Sequence, residues 1–142
     1  MPWLPKKEVV VPIDFSDDSL LAVDTALELV AGPAQIHVIH VLPLLTVADP
    51  GVVWEPVDDE SRRSHAEDAL RQRLSDERYR GVKVKVTIGD PGHEIVDYAQ
   101  ELKAELIVMP SHGRTGIRRL LIGSVAERVV RLAHCPVLVM KQ

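Results

Sequence analysis

The segment PSHGRTGIRRLLIGS, residues 110–124, combines residue types that suit the binding of an anion. Gly113 lets the backbone turn tightly or approach a ligand without a Cβ in the way. Gly123 and Ser124 stand where a helix would begin, and the free N–H groups of a helix N-terminus favour a phosphate. Positive charge between the two glycines comes from three arginines: Arg114, Arg118 and Arg119. Together these features suggest a phosphate site, although each alone also fits an ordinary loop and helix start.

The start of that helix carries a prediction of its own. Ser124 and Glu127 have the spacing of a capping box, in which serine caps the helix and glutamate reaches back to the serine N–H. We therefore expect Ser124 to cap a helix that lies within residues 116–133.

Short apolar runs alternate along the chain with amphipathic segments, without a linker or repeat, which predicts one domain over residues 1–142. The apolar runs predict five strands: 8–14, 35–43, 82–88, 105–111 and 136–141. Helices are predicted at 16–31, 59–78, 91–102 and within 116–133. Ser16 and Asp90 have the positions of N-caps, and Pro91 suits the first helical position after Asp90.

Strands that alternate with helices imply right-handed crossovers and a parallel sheet with helices on both faces. In such α/β sheets, ligands bind beyond the carboxyl ends of the strands, where the strand order reverses. If the first and fourth strands are neighbours there, the segment PIDFS meets residues 110–124 at a crevice. The long connection 44–58 follows the second strand, and its role stays open.

Composition and charge exclude several classes of partner. The chain has 142 residues and a net charge of -4, which argues against general binding of nucleic acid or an acidic membrane. Its single cysteine, Cys135, cannot form an internal disulfide, as suits a reducing compartment. No apolar run has the length of a membrane span, and the N-terminus lacks a signal-peptide core. We expect a cytoplasmic protein.

Three segments resemble the universal stress protein family: PIDFS, GDPGHEIVDYA and IVMPSHGRTGIRRLLIGSVAERVVRLAHCPVLVMK. The resemblance covers essentially the whole chain and implies a five-stranded parallel sheet of order 3-2-1-4-5. The ATP-binding branch of that family carries a motif, G-x2-G-x9-G-[S/T], after the fourth strand. Its second glycine is Gly113 here, and nine residues separate that glycine from Gly123 and Ser124. Pro110 replaces the first glycine, and proline lacks an N–H that a ligand oxygen can use.

The same resemblance implies a ligand, ATP, whose phosphates can carry Mg²⁺ or Mn²⁺. It implies adenosine contacts at Pro12, Ile13, Asp14 and Val41, ribose contacts at Met109 and Pro110, and phosphate contacts at Gly113, Arg114, Gly123, Ser124 and Val125. A carboxylate at the end of the first strand can accept hydrogen bonds from ribose hydroxyls or adenine. Asp14 can equally be a turn residue before Ser16.

Other chemistries find no support in the sequence. It contains no P-loop, dinucleotide fingerprint or nucleophile elbow, and its six histidines include no helical i, i+4 pair. We therefore predict neither a catalytic residue nor a dedicated metal site, and His112 is either a ligand donor or a turn residue.

Three functions stay open: a regulatory module that binds ATP, a dimeric stress-response interaction protein that has lost the nucleotide, and a slow ATPase or nucleotidyl-transfer enzyme. The first is favoured, and the downstream protein partner is unknown.

The last strand, PVLVMK, predicts an assembly. By the family's strand order it is an edge, and an apolar edge is an aggregation hazard unless it is paired or covered. We expect a homodimer in which two copies pair antiparallel through Val137, Leu138 and Val139, independent of nucleotide. The alternative is a monomer whose edge is covered by the N-terminal MPWLP, with Trp3 as the cover.

Overall fold

The computed structural model describes residues 2–44, 58–111 and 122–141. The strands are β1 (Val9–Pro12), β2 (Ile36–Leu42), β3 (Lys83–Ile88), β4 (Leu106–Pro110) and β5 (Val137–Met140). The helices of the described ranges are α1 (Asp17–Leu27), α2 (Asp59–Arg73), α3 (Pro91–Leu102) and α4 (Ser124–Leu132). Short 3₁₀ turns stand at Pro33–Gln35 and Glu77–Tyr79.

The five strands form one sheet in the order β3-β2-β1-β4-β5, and every pair in it is parallel. The predicted α/β fold and strand order are therefore confirmed. The order reverses at β1, which has β2 on one side and β4 on the other. Within the described ranges, none of the helices has the length and apolar character needed to cross a membrane.

The core lies in two layers, one on each face of the sheet. Val9 and Val11 point to one face and Val10 to the other, because side chains alternate along a strand. The first layer is completed by residues of α1 and α2, namely Ala22, Val23, Ala26 and Leu70. The second is completed by residues of α3 and α4, namely Ile95, Val96, Ala99, Ala126 and Val129. Burial on both faces explains why the central strands read as continuous apolar runs.

Two helices end earlier than their periodicity predicts. The predicted helix 16–31 stops at Leu27, because Val30 forms a parallel bridge with Lys6, whose N–H donates to the Leu29 carbonyl at 2.8 Å. The predicted helix 59–78 stops at Arg73. Asp76 then accepts a hydrogen bond from the Arg78 N–H at 3.0 Å and begins a 3₁₀ turn, which competes with the helix.

Candidate functional site

A crevice opens where β1 and β4 part. The two strands pair only through Val9 with Leu106 and Val10 with Ile107, whereas β1 pairs with β2 along its full length. Beyond these pairs their carboxyl ends flank a cavity of about 290 Å³. This is the position at which an open parallel sheet offers a ligand site.

The cavity gathers residues that are distant in the sequence. All the predicted site residues that the structure describes line it: Pro12, Ile13, Asp14, Val41, Met109, Pro110, Gly123, Ser124 and Val125. Gly113 and Arg114 lie outside the described residues, as do His112, Arg118, Arg119 and most of the connection 44–58. The structure thus brings together the end of β1, the end of β4 and the N-terminus of α4.

Six further residues line the cavity without having been predicted: Ile39, His40, Pro91, Ile95, Ser111 and Ala126. Pro91 and Ile95 come from the first turns of α3, which the topology brings under the same edge of the sheet. The segment GDPGHEIVDYA contains both residues, so its resemblance to the family was a usable signal. Ser111 is the last residue of the predicted strand 105–111 and directly follows the predicted Pro110, so its position was also a usable signal.

His40 joins the ends of β1 and β2. Its Nδ1–H donates to the Ile13 carbonyl at 2.7 Å, because a carbonyl oxygen can only accept. The Phe15 ring meets the imidazole edge-on, with ring centroids 4.8 Å apart. These two contacts hold the imidazole against the cavity wall.

Asp14 combines the two roles considered for it. Its Oδ1 accepts hydrogen bonds from the Ser16 N–H at 3.0 Å and from the Ser16 hydroxyl at 2.6 Å, which makes it a turn residue. It also lines the cavity. Both bonds use Oδ1, so Oδ2 is the oxygen with which Asp14 can meet a ligand.

The N-terminus of α4 differs from the prediction. Gly123, and not Ser124, is the N-cap, and it offers no side chain to cap the first turn. The Gly123 N–H donates to the Ser111 carbonyl at 2.7 Å, and this bond sets the start of the helix one residue earlier. Glu127 does not reach back, because its carboxylate pairs with Arg131 at 3.2 Å. The predicted capping box is therefore wrong, and no side chain of the described residues caps the first N–H groups of α4.

An ion pair ties α4 to α3 beside the cavity. Arg128 Nη1 donates to both carboxylate oxygens of Asp90, at 3.0 and 2.9 Å. Hydrogen bonds from the His93 ring and backbone, followed by those from Arg128, lower the pKa of Asp90 to about 2. A Cβ on Gly92 would lie 2.5 Å from Arg128 Cδ, so the glycine lets the arginine cross the first turn of α3.

Pro110 removes a donor from the cavity side of β4. The N–H groups of Ile107 and Ser111 point to β5, where they donate to the carbonyls of Pro136 and Met140 at 3.0 and 2.9 Å. Backbone N–H groups alternate between the two edges of a strand in a parallel sheet, so the nitrogen of Pro110 faces β1. That edge is the one that opens into the cavity.

These features define an open, doubly wound α/β fold with a cavity at the reversal of its strand order. The profile of the Universal stress protein family matches residues 6–141, and the chain belongs to this family. Universal stress protein MJ0531 of Methanocaldococcus jannaschii is 40% identical, over 96% of this chain and 82% of the relative. Universal stress protein YxiE of Bacillus subtilis is 31% identical, over 94% of this chain and 98% of the relative.

Solved structures show the same fold. Universal stress protein UspA from Lactobacillus plantarum superposes with a TM-score of 0.73 at 28% identity, covering 95% of this chain and 97% of that one. A universal stress protein from Archaeoglobus fulgidus, solved in complex with dAMP, has a TM-score of 0.62 at 25% identity. That match covers 97% of this chain and 100% of the relative.

In the part of the chain that the structure describes, no group of three or more His, Cys, Asp or Glu side chains is placed to hold a metal ion. The titratable side chains that line the cavity there are Asp14 and His40. Both are held by the hydrogen bonds described above, to Ser16 and to the Ile13 carbonyl.

Proposed function

We propose that this chain is a cytoplasmic regulatory module that binds ATP between the carboxyl ends of β1 and β4. One observation carries the proposal: segments separated by about a hundred residues, each predicted to contact one part of a nucleotide, converge on one cavity. The dAMP complex of the Archaeoglobus fulgidus relative supports an adenine nucleotide as the ligand class. The triphosphate, and any Mg²⁺ or Mn²⁺ that it carries, rest on the glycine motif.

The lining is matched to the parts of such a ligand. Ile13, Val41 and Met109 supply apolar surface for adenine and ribose, and Asp14 supplies an acceptor for their O–H and N–H groups. At the other end, the uncapped N-terminus of α4 presents N–H groups and the positive end of a helix dipole to an anion. The cavity therefore has an apolar part and an anion-binding part.

The described lining supports binding rather than catalysis. A general base needs to reach the group that it deprotonates and to be oriented by a partner. Asp14 accepts from Ser16, and His40 donates to a backbone carbonyl, so neither side chain orients a nucleophile. We propose no catalytic residue.

A second candidate function is a stress-response interaction protein that does not bind nucleotide. The observation that favours it is the nitrogen of Pro110, which faces the cavity without an N–H.

One experiment distinguishes the ATP-binding module from the interaction protein. Protein purified without added nucleotide is denatured, and the supernatant is analysed for adenine nucleotides by chromatography; the emptied protein is then refolded and titrated with ATP, with GTP as the control.

We expect released adenine nucleotide or saturable binding of ATP in preference to GTP. Neither release nor binding, in protein whose circular dichroism is that of a folded α/β chain, would select the interaction protein. Phosphate release over many turnovers would instead revive an ATPase.

We also propose a homodimer built on β5, in which Val137 to Val139 pair with the same strand of a second copy. β5 is an edge of the sheet, and Leu138 is exposed on it. The alternative cover, Trp3, has the Lys6 ammonium 3.7 Å from its ring centroid, and the Lys6 N–H donates to the Leu29 carbonyl, just beyond α1. Those contacts give no support to a cover over β5, so a paired edge is the better solution. Light scattering at micromolar concentration should report the mass of a dimer with and without ATP.

A further inference from the structure

Phe15 has a backbone conformation that its residue type disfavours. It follows Asp14 in the turn between β1 and α1, and its φ of 68° lies in the left-handed region. Glycine adopts that region freely, whereas a bulky residue adopts it at a cost in free energy. Strained residues of this kind persist only where their surroundings hold them, and they are concentrated at functional sites. The side chain of Phe15 must therefore supply something that glycine cannot.

The Phe15 side chain contacts a histidine that bonds to the same turn. Its ring meets the His40 imidazole edge-on, with centroids 4.8 Å apart, and packs against the first layer of the core. The His40 Nδ1–H donates to the Ile13 carbonyl at 2.7 Å. The carbonyl of Phe15 itself accepts from Arg73 Nη2 at 3.3 Å. Because the imidazole packs against the ring of Phe15, it has less freedom to leave its bond to Ile13.

The peptide that precedes Asp14 is held at both of its polar groups. The Ile13 carbonyl accepts from His40, and the Asp14 N–H donates to the Ser19 hydroxyl at 3.4 Å. The carboxylate of Asp14 is held as well, through the two bonds from Ser16 to Oδ1. The protein thus orients Asp14 from outside the cavity that this residue lines.

We propose that Phe15 and His40 are positioning residues of the cavity. Together they fix the Ile13–Asp14 peptide, so that the Asp14 carboxylate has one orientation before a ligand arrives. Such preorganisation improves affinity, because the site is ordered during folding and not during binding. The proposal rests on the nucleotide binding proposed above. Neither aromatic side chain is assigned a contact with the nucleotide, and both act through Asp14.

The first test is a double-mutant cycle on the affinity for ATP, measured by titration calorimetry. Phe15→Ala removes the ring and should weaken ATP binding roughly five- to tenfold, about the weight of one hydrogen bond. In an Asp14→Ala background the same substitution should change the affinity by less than about twofold, because the residue through which Phe15 acts is gone.

A second variant at the same position separates positioning from stability. Phe15→Gly relieves the strain at φ 68° and should need more urea to unfold than Phe15→Ala, since glycine adopts that conformation freely. It also lacks the ring, so it should bind ATP no more tightly than the alanine variant. The control is Leu27→Ala, which removes apolar surface from the same core layer at the last residue of α1. It should lose stability and keep its ATP affinity within about twofold of wild type.

His40 offers a matched pair of variants, which also decide the matter should Asp14→Ala bind ATP too weakly to measure. His40→Asn places an amide N–H near the position of Nδ1 and keeps a donor for the Ile13 carbonyl. His40→Phe keeps an aromatic ring for Phe15 and removes the donor. His40→Phe should therefore lose about as much ATP affinity as Phe15→Ala, and His40→Asn should lose less.

The failures are distinguishable. Wild type that binds no adenine nucleotide removes the proposed function and the positioning role with it. Wild type that binds ATP, with Phe15→Ala, Phe15→Gly and His40→Phe binding equally well, overturns the positioning role alone. A loss from Phe15→Ala that is as large in the Asp14→Ala background also overturns it, because the ring would then act on the nucleotide or on the whole fold. An equal loss of affinity in Leu27→Ala would assign the effect to stability and overturn it too.

Discussion

The helices α1 and α4 both begin at the carboxyl edge of the sheet, and their N-termini are built in opposite ways. At α1 the Ser16 hydroxyl accepts from the Ser19 N–H at 3.1 Å, and Asp17 and Asp18 place negative charge in the first turn. At α4 the N-cap is Gly123, which has no side chain, and the acidic residue of its first turn, Glu127, is paired with Arg131. Both ends carry the same positive dipole.

The difference separates an end that the protein itself caps from an end that suits the proposed ligand. Asp58 caps α2 and Asp90 caps α3, so α4 is the one helix of the described ranges without a capping side chain. The Gly123 backbone, at φ -64° and ψ 159°, is one that any residue adopts. The glycine is thus not required by conformation, and its missing side chain leaves the cavity open.

The largest expected effect comes from making α4 resemble α1. Gly123→Asp supplies a carboxylate cap, which should fill the anion position and repel a phosphate. We expect a loss of ATP affinity of roughly a hundredfold or more, because opposed like charges cost several kcal/mol. The unfolding free energy should rise by a few tenths of a kcal/mol, roughly the advantage of aspartate over glycine as an N-cap.

Gly123→Asn is the matched control, since it caps the helix without the charge. It should gain similar stability in urea denaturation and lose less affinity for ATP, while adenosine should distinguish the two variants little. An aspartate variant that binds ATP as tightly as wild type would place the phosphates away from α4.

The next largest effect is expected from disturbing the ion pair between Arg128 and Asp90, which holds α4 against α3. Gly92→Ala puts a Cβ 2.5 Å from Arg128 Cδ and 3.1 Å from its Cβ, so the arginine must move as a whole and release Asp90. Such crowding costs about 1–3 kcal/mol, and we expect the free energy of unfolding to fall by about 1 kcal/mol. ATP affinity should fall several-fold as α4 shifts.

The control is the same substitution in an Arg128→Ala background. Arg128→Ala removes the contact with Cδ and leaves the contact with Cβ at 3.1 Å. In this background Gly92→Ala should destabilise clearly less than in wild type, because the remaining crowding is offset by the helical advantage of alanine over glycine, up to about 1 kcal/mol. Equal destabilisation in both backgrounds, measured by a double-mutant cycle, would show that the contact with Arg128 is not the reason for the glycine.

These regions also show what the sequence could predict. The run Val9–Val11 predicts a strand buried on both faces. Ser16 and Asp90 are residue types that cap helices, and both do so in the structure. Short-range patterns were therefore sufficient for the strands and for two helix starts. The strand order came from the resemblance to a family. The end of α1 depends on a pairing of Lys6 with Val30, which no local pattern encodes.

The residues of the candidate site also fall into those that the sequence predicted and those that it did not. Motif residues such as Gly123 could be predicted because the spacing of the glycine motif specifies them. His40, Ile95 and Ser111 were not predicted, because the glycine motif does not specify them and they reach the cavity through the packing of separate elements around it. The capping box failed for a related reason: Ser124 and Glu127 have the right spacing, but the bond from the Gly123 N–H to the Ser111 carbonyl is a tertiary contact.

The smallest effect is the pH dependence of the aspartate cap on α3, which the uncapped α4 lacks. The folded-state pKa of Asp90 is lowered from 3.8 to about 2 by the His93 ring and backbone and then by Arg128. A lowered pKa contributes stability that is present above the unfolded value and is lost as the pH falls through the folded value. Asp90→Asn keeps an N-cap but not the charge. The free energy of unfolding of wild type should therefore exceed that of the variant by a constant margin above about pH 5, and this margin should shrink as the pH falls and be mostly lost near pH 2. Urea denaturation of both proteins across this range measures the margin, which salt should reduce because the carboxylate is exposed. A margin that does not change with pH would mean that the charge of Asp90 contributes nothing and that its hydrogen bonds alone hold the start of α3.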